Sequence, residues 1–142
     1  MKKFTLVLGT PGAGKSFLAQ QMQAKDPNLA VLDDVSRLLR VLCKGLCYYE
    51  VVAQFPEYDK FLLCDPAFCE DSFRIRVEAE LREVFGKVEF DYVFFENNPE
   101  QCLINVELRN DGRKVEKHIM RLSKIYKIPE NVKPIPVWKP GV

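Results

Sequence analysis

The sequence predicts an α/β domain in which a parallel sheet of about five strands is covered by helices on both faces. Short apolar runs of strand length alternate along the chain with longer segments whose apolar residues recur at helical spacing. The short runs are apolar at consecutive positions, which is typical of parallel strands buried on both faces. With 142 residues, 47% of them hydrophobic, the chain has the size and composition of a single domain, placed at 1–142.

Three strands and three helices are predicted in the first half of the chain. The strands are the apolar runs at 4–8, 29–33 and 61–64. Helical spacing predicts helices at 16–25 and 35–44, ended by Asp26-Pro27 and by Gly45 respectively. A shorter helix is predicted at 48–55, because Pro56 ends it.

Two further strands and three further helices are predicted in the second half. A stripe formed by Phe73, Val77 and Leu81 predicts a helix that ends at Gly86. A strand follows at 91–95, and Asn98-Pro99 has the pattern of an N-cap and first-turn proline. The last helix is predicted at 115–126. The run 134–137 is expected to be a short edge strand, since proline cannot donate to a sheet ladder.

Charge, cysteine content and apolar run length exclude several classes of protein. The chain has 21 basic and 20 acidic residues, which argues against a disordered chain and against a uniformly basic nucleic-acid coat. It has no apolar run of the roughly 20 residues that cross a bilayer and no pattern of a secretion signal, so we expect a cytoplasmic protein without a membrane partner. Its five cysteines, an odd number, are interpreted as reduced thiols.

The run Gly9-Thr-Pro-Gly-Ala-Gly-Lys15-Ser16 fits the phosphate-binding pattern G-x-x-x-x-G-K-[ST] between a predicted strand and a predicted helix. Glycines allow the backbone amides to turn toward phosphate oxygens at the start of the helix. Lys15 can then reach the terminal phosphates, and the Ser16 hydroxyl can bind Mg²⁺. The predicted ligands are therefore ATP and Mg²⁺, with nucleotide contacts from Gly9, Thr10, Pro11, Gly12, Ala13, Gly14, Lys15 and Ser16. The alternative is a glycine turn that only packs the helix on the strand.

Two further motifs carry a resemblance to a known family of kinases. Asp34-Val-Ser-Arg37 follows the second predicted strand, and Arg109-Asn-Asp-Gly-Arg113 lies between two predicted helices. Together with the glycine loop, they resemble the kinase half of bacteriophage polynucleotide 5′-kinase/3′-phosphatase; the phosphatase half has no counterpart here. The resemblance implies a P-loop kinase fold with a short helical lid. It also implies that Asp34 is the catalytic base, that Arg37 binds the acceptor, and that Arg109 and Arg113 are lid cations.

Each of these assignments has a structural alternative. A carboxylate at the carboxyl edge of a parallel sheet faces the ligand crevice, but Asp34 could instead cap the following helix. If the strand remains extended there, Asp33 is expected to point away from Asp34. Arg37 could be a surface residue, and the turn bearing Arg109 and Arg113 could be a solvated loop. The only histidine, His118, is expected to be a surface or packing residue.

A second acidic group is expected near Mg²⁺ in a kinase of this kind. Asp65 ends an apolar strand and is the preferred candidate, holding the metal through water, with Glu96 as its rival. The predicted catalytic residues are thus Lys15, Asp34 and Arg113, and the predicted metal site is Ser16 with Asp65.

The function predicted from the sequence is transfer of the γ-phosphoryl group of ATP to a hydroxyl on nucleic acid, with DNA preferred over RNA. Two acceptors stay open: a polynucleotide 5′-hydroxyl, or the hydroxymethyl group of 5-hydroxymethyluracil, as in phage DNA modification. If the chain is viral, it would act in the host cytoplasm. A nucleoside or small-metabolite kinase and a non-catalytic nucleotide-binding module are the alternatives.

Overall fold

The structure is a computed structural model, and it describes residues 1–41, 45–110, 112 and 114–140. Its strands are β1 (Lys2–Leu8), β2 (Leu29–Asp33), β3 (Lys60–Cys64) and β4 (Val88–Phe94). Its helices are α1 (Lys15–Lys25), α2 (Val35–Val41), α3 (Tyr48–Val52), α4 (Asp71–Phe85), α5 (Pro99–Arg109) and α6 (Glu116–Ile125), with a 3-10 turn at Pro66–Cys69. The alternation of strands and helices is the predicted one, and β2 has the predicted bounds.

All four strands run parallel, in the order β2-β3-β1-β4. Strand β1 is central, and its Leu6 is paired with Leu63 on one side and with Tyr92 on the other. Because the strands are parallel, the segments that follow β1, β2 and β3 all leave the same edge of the sheet. The glycine loop, Asp33-Asp34 and Asp65 follow these three strands, and this edge therefore carries the candidate site.

The prediction of about five strands is wrong for the described part of the chain. The segment 134–137 makes a single parallel bridge, between Ile135 and Phe95, and no continuous ladder. Pro134 and Pro136 lack the N–H groups that a longer ladder would need. The segment is still fixed in place, because the Ile135 N–H donates to Phe94 O and the Glu96 N–H donates to Ile135 O, both at 2.8 Å.

Alternate residues of β1 enter two different apolar clusters, as expected for a strand buried on both faces. Phe4, Leu6 and Leu8 pack in one cluster with residues of α3, α4 and α6, whereas Val7 packs in the other with residues of α1 and α5. Helices therefore cover both faces, and the α/β prediction is confirmed.

Four of the five cysteines lie in the described residues, and all four are free thiols. Cys64, Cys69 and Cys102 are buried and Cys47 is exposed, while Cys43 lies outside the described residues. None of the helices described is both long and apolar enough to cross a bilayer.

Candidate active site

The loop between β1 and α1 exposes backbone N–H groups at the start of a helix. Gly12 and Gly14 have φ angles of +88° and +108°, which side-chain-bearing residues rarely adopt. Gly14 is the N-cap of α1 and has no side chain to accept from the first N–H groups of the helix. N–H groups of a first helical turn without a side-chain cap, together with the positive end of the helix dipole, are suited to bind an anion.

Lys15 places a cation under this loop. It is only 7% exposed, and its Nζ donates to Gly9 O at 2.7 Å and to Thr10 O at 2.9 Å. Burial lowers the pKa of the Lys15 ammonium, because water no longer solvates its charge. A phosphate oxygen that approached the loop would supply a negative partner that the two carbonyls cannot.

Asp33 and Asp34 both line the cavity beside the loop, and the extended backbone on which their expected separation depended does not continue to Asp34. Asp34 has a φ of +55°, in the left-handed region that Asp tolerates better than most residues. This turn breaks the strand alternation directly after β2. Asp33 Oδ2 accepts a hydrogen bond from Ser16 Oγ at 2.7 Å, so a carboxylate stands next to the hydroxyl predicted to bind Mg²⁺.

The cavity beside the loop, called here the donor cavity, has a volume of about 320 Å³. Besides the glycine loop and the two aspartates, it is lined by Lys15, Ser16, Arg109 and Trp138. With Phe17 also in its lining, it combines two cations, a hydroxyl, two carboxylates and two aromatic rings, a set of groups that fits a nucleoside triphosphate with its metal ion.

A second cavity of about 300 Å³, called here the acceptor cavity, shares Asp34 with the donor cavity. Its basic side chains come from α2 and from the beginning of the α6 region, three of them cationic and one an imidazole: Arg37, Arg40, Lys114 and His118. His118, expected to be a surface or packing residue, is partly buried and lines this cavity. Partial burial, with Arg121 and Arg40 nearby, lowers the pKa of His118.

Asp65 is 0% exposed and has a different environment from the one predicted. Its carboxylate accepts hydrogen bonds from the Ser36 N–H at 2.8 Å, from Ser36 Oγ at 2.6 Å and from the Ala67 N–H at 3.0 Å. It is absent from the lining of the donor cavity. Burial raises the pKa of Asp65, although these hydrogen bonds oppose the shift. Asp65 thus joins the end of β3 to the start of α2, and the carboxylate bound to Ser16 is Asp33.

Glu96, the rival to Asp65, also has a structural partner: its Oε1 accepts from the Val137 N–H at 3.0 Å. Arg109 lies at the end of α5 and lines the donor cavity, as a lid cation would. The turn after it contains Asn110, with a φ of +47°. Arg113 lies outside the described residues.

Two residues that hydrogen-bond to the glycine loop, Asn105 and Trp138, were not predicted from the sequence. Asn105 is 3% exposed, and its Nδ2 donates to Gly12 O at 2.9 Å and to Trp138 O at 2.6 Å. The Trp138 N–H donates to Ala13 O at 3.0 Å. One signal was available for Asn105, because it is a polar residue between Cys102 and Val106 on the buried face of α5. Trp138 had no comparable signal.

Replacing Gly12 by alanine is expected to lower the free energy of unfolding more than replacing Gly86 does. Both glycines have a positive φ, so alanine is strained at either site by about 1–3 kcal/mol. A Cβ at Gly12 would also lie 2.6 Å from Cys102 O, whereas nothing lies within 4 Å of one at Gly86. This overlap should cost about 1–3 kcal/mol more. Urea unfolding of both variants measures the difference; equal losses would contradict the close approach of the loop to α5.

Comparison with solved structures defines the class of protein. The chain is similar to a gluconokinase from Sinorhizobium meliloti 1021, with a TM-score of 0.61 and 12% identity over 97% of this chain and 84% of that one. It is also similar to a fungal RNA kinase, with a TM-score of 0.60 and 15% identity over 89% of this chain and 65% of that one. The α/β fold of this chain, a parallel sheet with helices, is therefore similar to the folds of these two kinases.

Comparison of sequences then shows the family. The chain is 30% identical over 122 residues to an uncharacterized protein of Acanthamoeba polyphaga mimivirus, a match that covers 80% of this chain and 77% of the viral protein. The chain belongs to the same family as this mimivirus protein. No protein-family model matches it.

Proposed function

We propose that the protein is an ATP-dependent kinase that transfers the γ-phosphoryl group to a hydroxyl on nucleic acid. The observation that carries this proposal is the position of Asp34, which lines the donor cavity and the acceptor cavity at once. A carboxylate between the phosphate site and the hydroxyl site can take the proton of the acceptor hydroxyl during transfer. A protein that only bound nucleotide would not need the cationic cavity on the far side of Asp34.

On the donor side, the glycine-loop N–H groups and Lys15 would hold the triphosphate. Ser16 and Asp33 would hold Mg²⁺, because a hydroxyl and a carboxylate 2.7 Å apart are the oxygen ligands this ion prefers. Within the described ranges, no cluster of three or more His, Cys, Asp or Glu side chains could hold a metal by itself. That fits Mg²⁺, which binds through one or two protein groups together with substrate phosphates and water. When bound, the ion would neutralise charge on the β- and γ-phosphates.

In the transfer step, the acceptor hydroxyl would give its proton to Asp34 as its oxygen bonds to the γ-phosphorus. The bond between that phosphorus and the bridging β-γ oxygen breaks, and ADP leaves with that oxygen. Lys15 would stabilise the negative charge that develops on the transferring group. Arg109, and Arg113 by the resemblance stated above, would add charge from the turn between α5 and α6.

The acceptor cavity supports a substrate that carries negative charge next to its reactive hydroxyl. Its basic residues continue into α6: one just before the helix and three within it recur at three- and four-residue spacing and line a groove between α5 and α6. They are Lys114, Lys117, Arg121 and Lys124. The groove also contains Glu107 and Glu116, so its net charge is positive without being extreme. A row of cations that leads away from a single reactive site suits the phosphates of a strand better than one small anion.

DNA is the preferred acceptor in this proposal, and the likeness to an RNA kinase keeps RNA as an alternative. The hydroxyl is either a 5′-terminal one or the hydroxymethyl group of 5-hydroxymethyluracil. A kinase of a small anionic metabolite is the second candidate function, since a cavity of about 300 Å³ can enclose such a molecule.

Transfer of labelled phosphate from γ-labelled ATP tests the proposal directly. Three acceptors are compared: a 5′-hydroxyl oligonucleotide, an end-blocked duplex that contains 5-hydroxymethyluracil, and a mixture of free nucleosides and anionic sugars. Labelling of either nucleic acid supports the proposal and identifies the hydroxyl. Labelling of the small molecules alone would replace it with the second candidate, and absence of transfer to all three would contradict a kinase acting on these acceptors.

Lowering the pH is expected to improve binding of an anionic acceptor through His118. Partial burial lowers the pKa of His118, so the imidazole becomes a cation only in more acidic solution than an exposed histidine does. Arg121 and Arg40 disfavour that proton, Asp34 favours it, and a bound phosphate would favour it further. The acceptor KM of the native protein should therefore fall roughly threefold as the pH is lowered from above to below the pKa of His118. A His118→Gln variant should show no such fall; equal pH profiles for both would remove His118 from acceptor binding.

A further inference from the structure

The proposed function leaves one feature of the donor cavity unused, the side chain of Trp138. This residue is 43% exposed, and it lines the same cavity as Lys15 and Ser16. Phosphate binding and proton transfer, which the glycine loop and the aspartates explain, have no need of an indole ring. A nucleoside triphosphate, however, has a flat apolar end as well as a charged one.

The backbone of Trp138 is held rigidly against the glycine loop. Its N–H donates to Ala13 O at 3.0 Å, and its carbonyl accepts from Asn105 Nδ2 at 2.6 Å. The same Asn105 nitrogen donates to Gly12 O, so one buried amide joins the loop and the tryptophan. The preceding residue, Val137, is 2% exposed and anchors the segment in the core.

The absence of a side chain at Gly14 makes this contact possible. A Cβ at Gly14 would lie 2.9 Å from the Cβ of Trp138, closer than such atoms can approach. Gly14 immediately precedes Lys15, so the start of the tryptophan side chain lies close to the residues that would hold the phosphates. A ring with a fixed backbone and partial exposure loses little conformational entropy when a ligand stacks on it.

We propose that Trp138 forms the nucleobase-binding subsite of the donor cavity, with the indole ring stacked on the base of the bound nucleoside triphosphate. This inference rests on the proposed function for the location of the phosphates. Arg109 lines the same cavity, and its planar guanidinium is a group that stacks on aromatic rings, so it could cover the other face of the base. Stacking of a base on an aromatic side chain raises affinity by about tenfold to a hundredfold.

A second aromatic ring, Phe17, also lines the donor cavity and is 51% exposed. It belongs to the first turn of α1, next to Ser16, and lacks the backbone contacts that fix Trp138 to the loop. A base on Phe17 would lie beside the predicted metal ligand, where the phosphates are expected. Phe17 is therefore the matched comparison in the experiment that follows.

Intrinsic fluorescence gives a direct test, because Trp138 is the single tryptophan of the chain. The native protein is titrated with Mg-ATP and with Mg-tripolyphosphate, which offers the same phosphates without a base. We expect ATP to quench the emission and tripolyphosphate to leave it nearly unchanged. An equal change with both ligands would overturn the proposal, because the signal would then report movement of the loop and not stacking.

Calorimetric titration of Trp138→Ala, Trp138→Phe and Phe17→Ala completes the test. Trp138→Ala should weaken ATP binding by about tenfold to a hundredfold, with tripolyphosphate binding unchanged. Trp138→Phe should retain most of the ATP affinity, and any loss of affinity in Phe17→Ala should be the same for ATP and for tripolyphosphate. Equal losses for ATP and tripolyphosphate in Trp138→Ala would assign a structural role to the residue, and a loss confined to Phe17→Ala would assign the base to Phe17. If neither ligand bound to the native protein, the proposal of a donor site would be wrong. That outcome is distinct from failure of the Trp138 proposal alone, in which both ligands would still bind.

Discussion

Lys15→Ala is expected to lower the rate of phosphoryl transfer by about 10²–10³-fold or more, even at saturating ATP. The ammonium is 7% exposed and is held by two carbonyls of the loop. It would meet the growing negative charge of the transferring group at a place that water does not reach, and charge is stabilised most strongly there. The measurement is single-turnover transfer from γ-labelled ATP to the acceptor identified above.

Lys25→Ala is the matched control for this variant. Lys25 is exposed in the last turn of the same helix, so its removal changes the net charge equally but leaves the loop intact. Its transfer rate should be close to that of the native protein. Because Lys15 also satisfies Gly9 O and Thr10 O, circular dichroism and thermal unfolding must show that the alanine variant is folded. A folded Lys15→Ala protein with native turnover would show that the glycine loop is not the donor site.

Asp34→Asn is expected to lower transfer by about 10²–10⁴-fold while leaving ATP affinity almost unchanged. The asparagine amide cannot take a proton from the acceptor hydroxyl. It can, however, adopt the backbone conformation of Asp34, whose φ is +55°, because asparagine tolerates the left-handed region. The Asp34 N–H, which donates to Cys64 O at 2.8 Å, is also retained. The variant should therefore remove the base and keep the native backbone conformation at this position.

Asp33→Asn provides the comparison that separates a base from a metal ligand. Its carboxylate accepts from Ser16 Oγ, so its loss should weaken Mg²⁺-dependent nucleotide binding, and higher Mg²⁺ concentrations should restore part of the rate. No Mg²⁺ concentration should restore Asp34→Asn. Parallel loss of ATP binding and transfer in Asp34→Asn, or its rescue by metal, would contradict the assignment of Asp34 as the base.

The sequence predicted local elements more accurately than it predicted contacts between distant segments. The bounds of β2 and the N-cap at Asn98 depend on neighbouring residues, and the Asn98 side chain does accept from the Gln101 N–H. The prediction of a fifth strand was wrong because the apolar run 134–137 was counted as a strand. Pro134 and Pro136 have no N–H groups, so the run lacks two of the hydrogen-bond donors that a strand would use.

At the candidate site, the positions of side chains depend on one backbone angle and on contacts between residues far apart in the sequence, and neither could be predicted from the sequence. Strand alternation separates Asp33 from Asp34 only while the chain is extended, and the positive φ of Asp34 ends that condition. Asp65 resembled a metal ligand because it ends a buried strand, but its oxygens face Ser36, 29 residues earlier in the chain. Asn105 contacts Gly12 across 93 residues. Spacing along a sequence carries no information about such pairs.

The central position of β1 has a consequence for how quickly its amide hydrogens exchange with solvent. The strand is paired on both sides, and Phe4, Leu6, Val7 and Leu8 are 0% exposed. Its amides should exchange only when the whole domain unfolds, whereas amides of the glycine loop that face the donor cavity can exchange from the folded state. Deuterium uptake should therefore change abruptly at Leu8, and nucleotide should slow the uptake of the loop without affecting the strand that carries it.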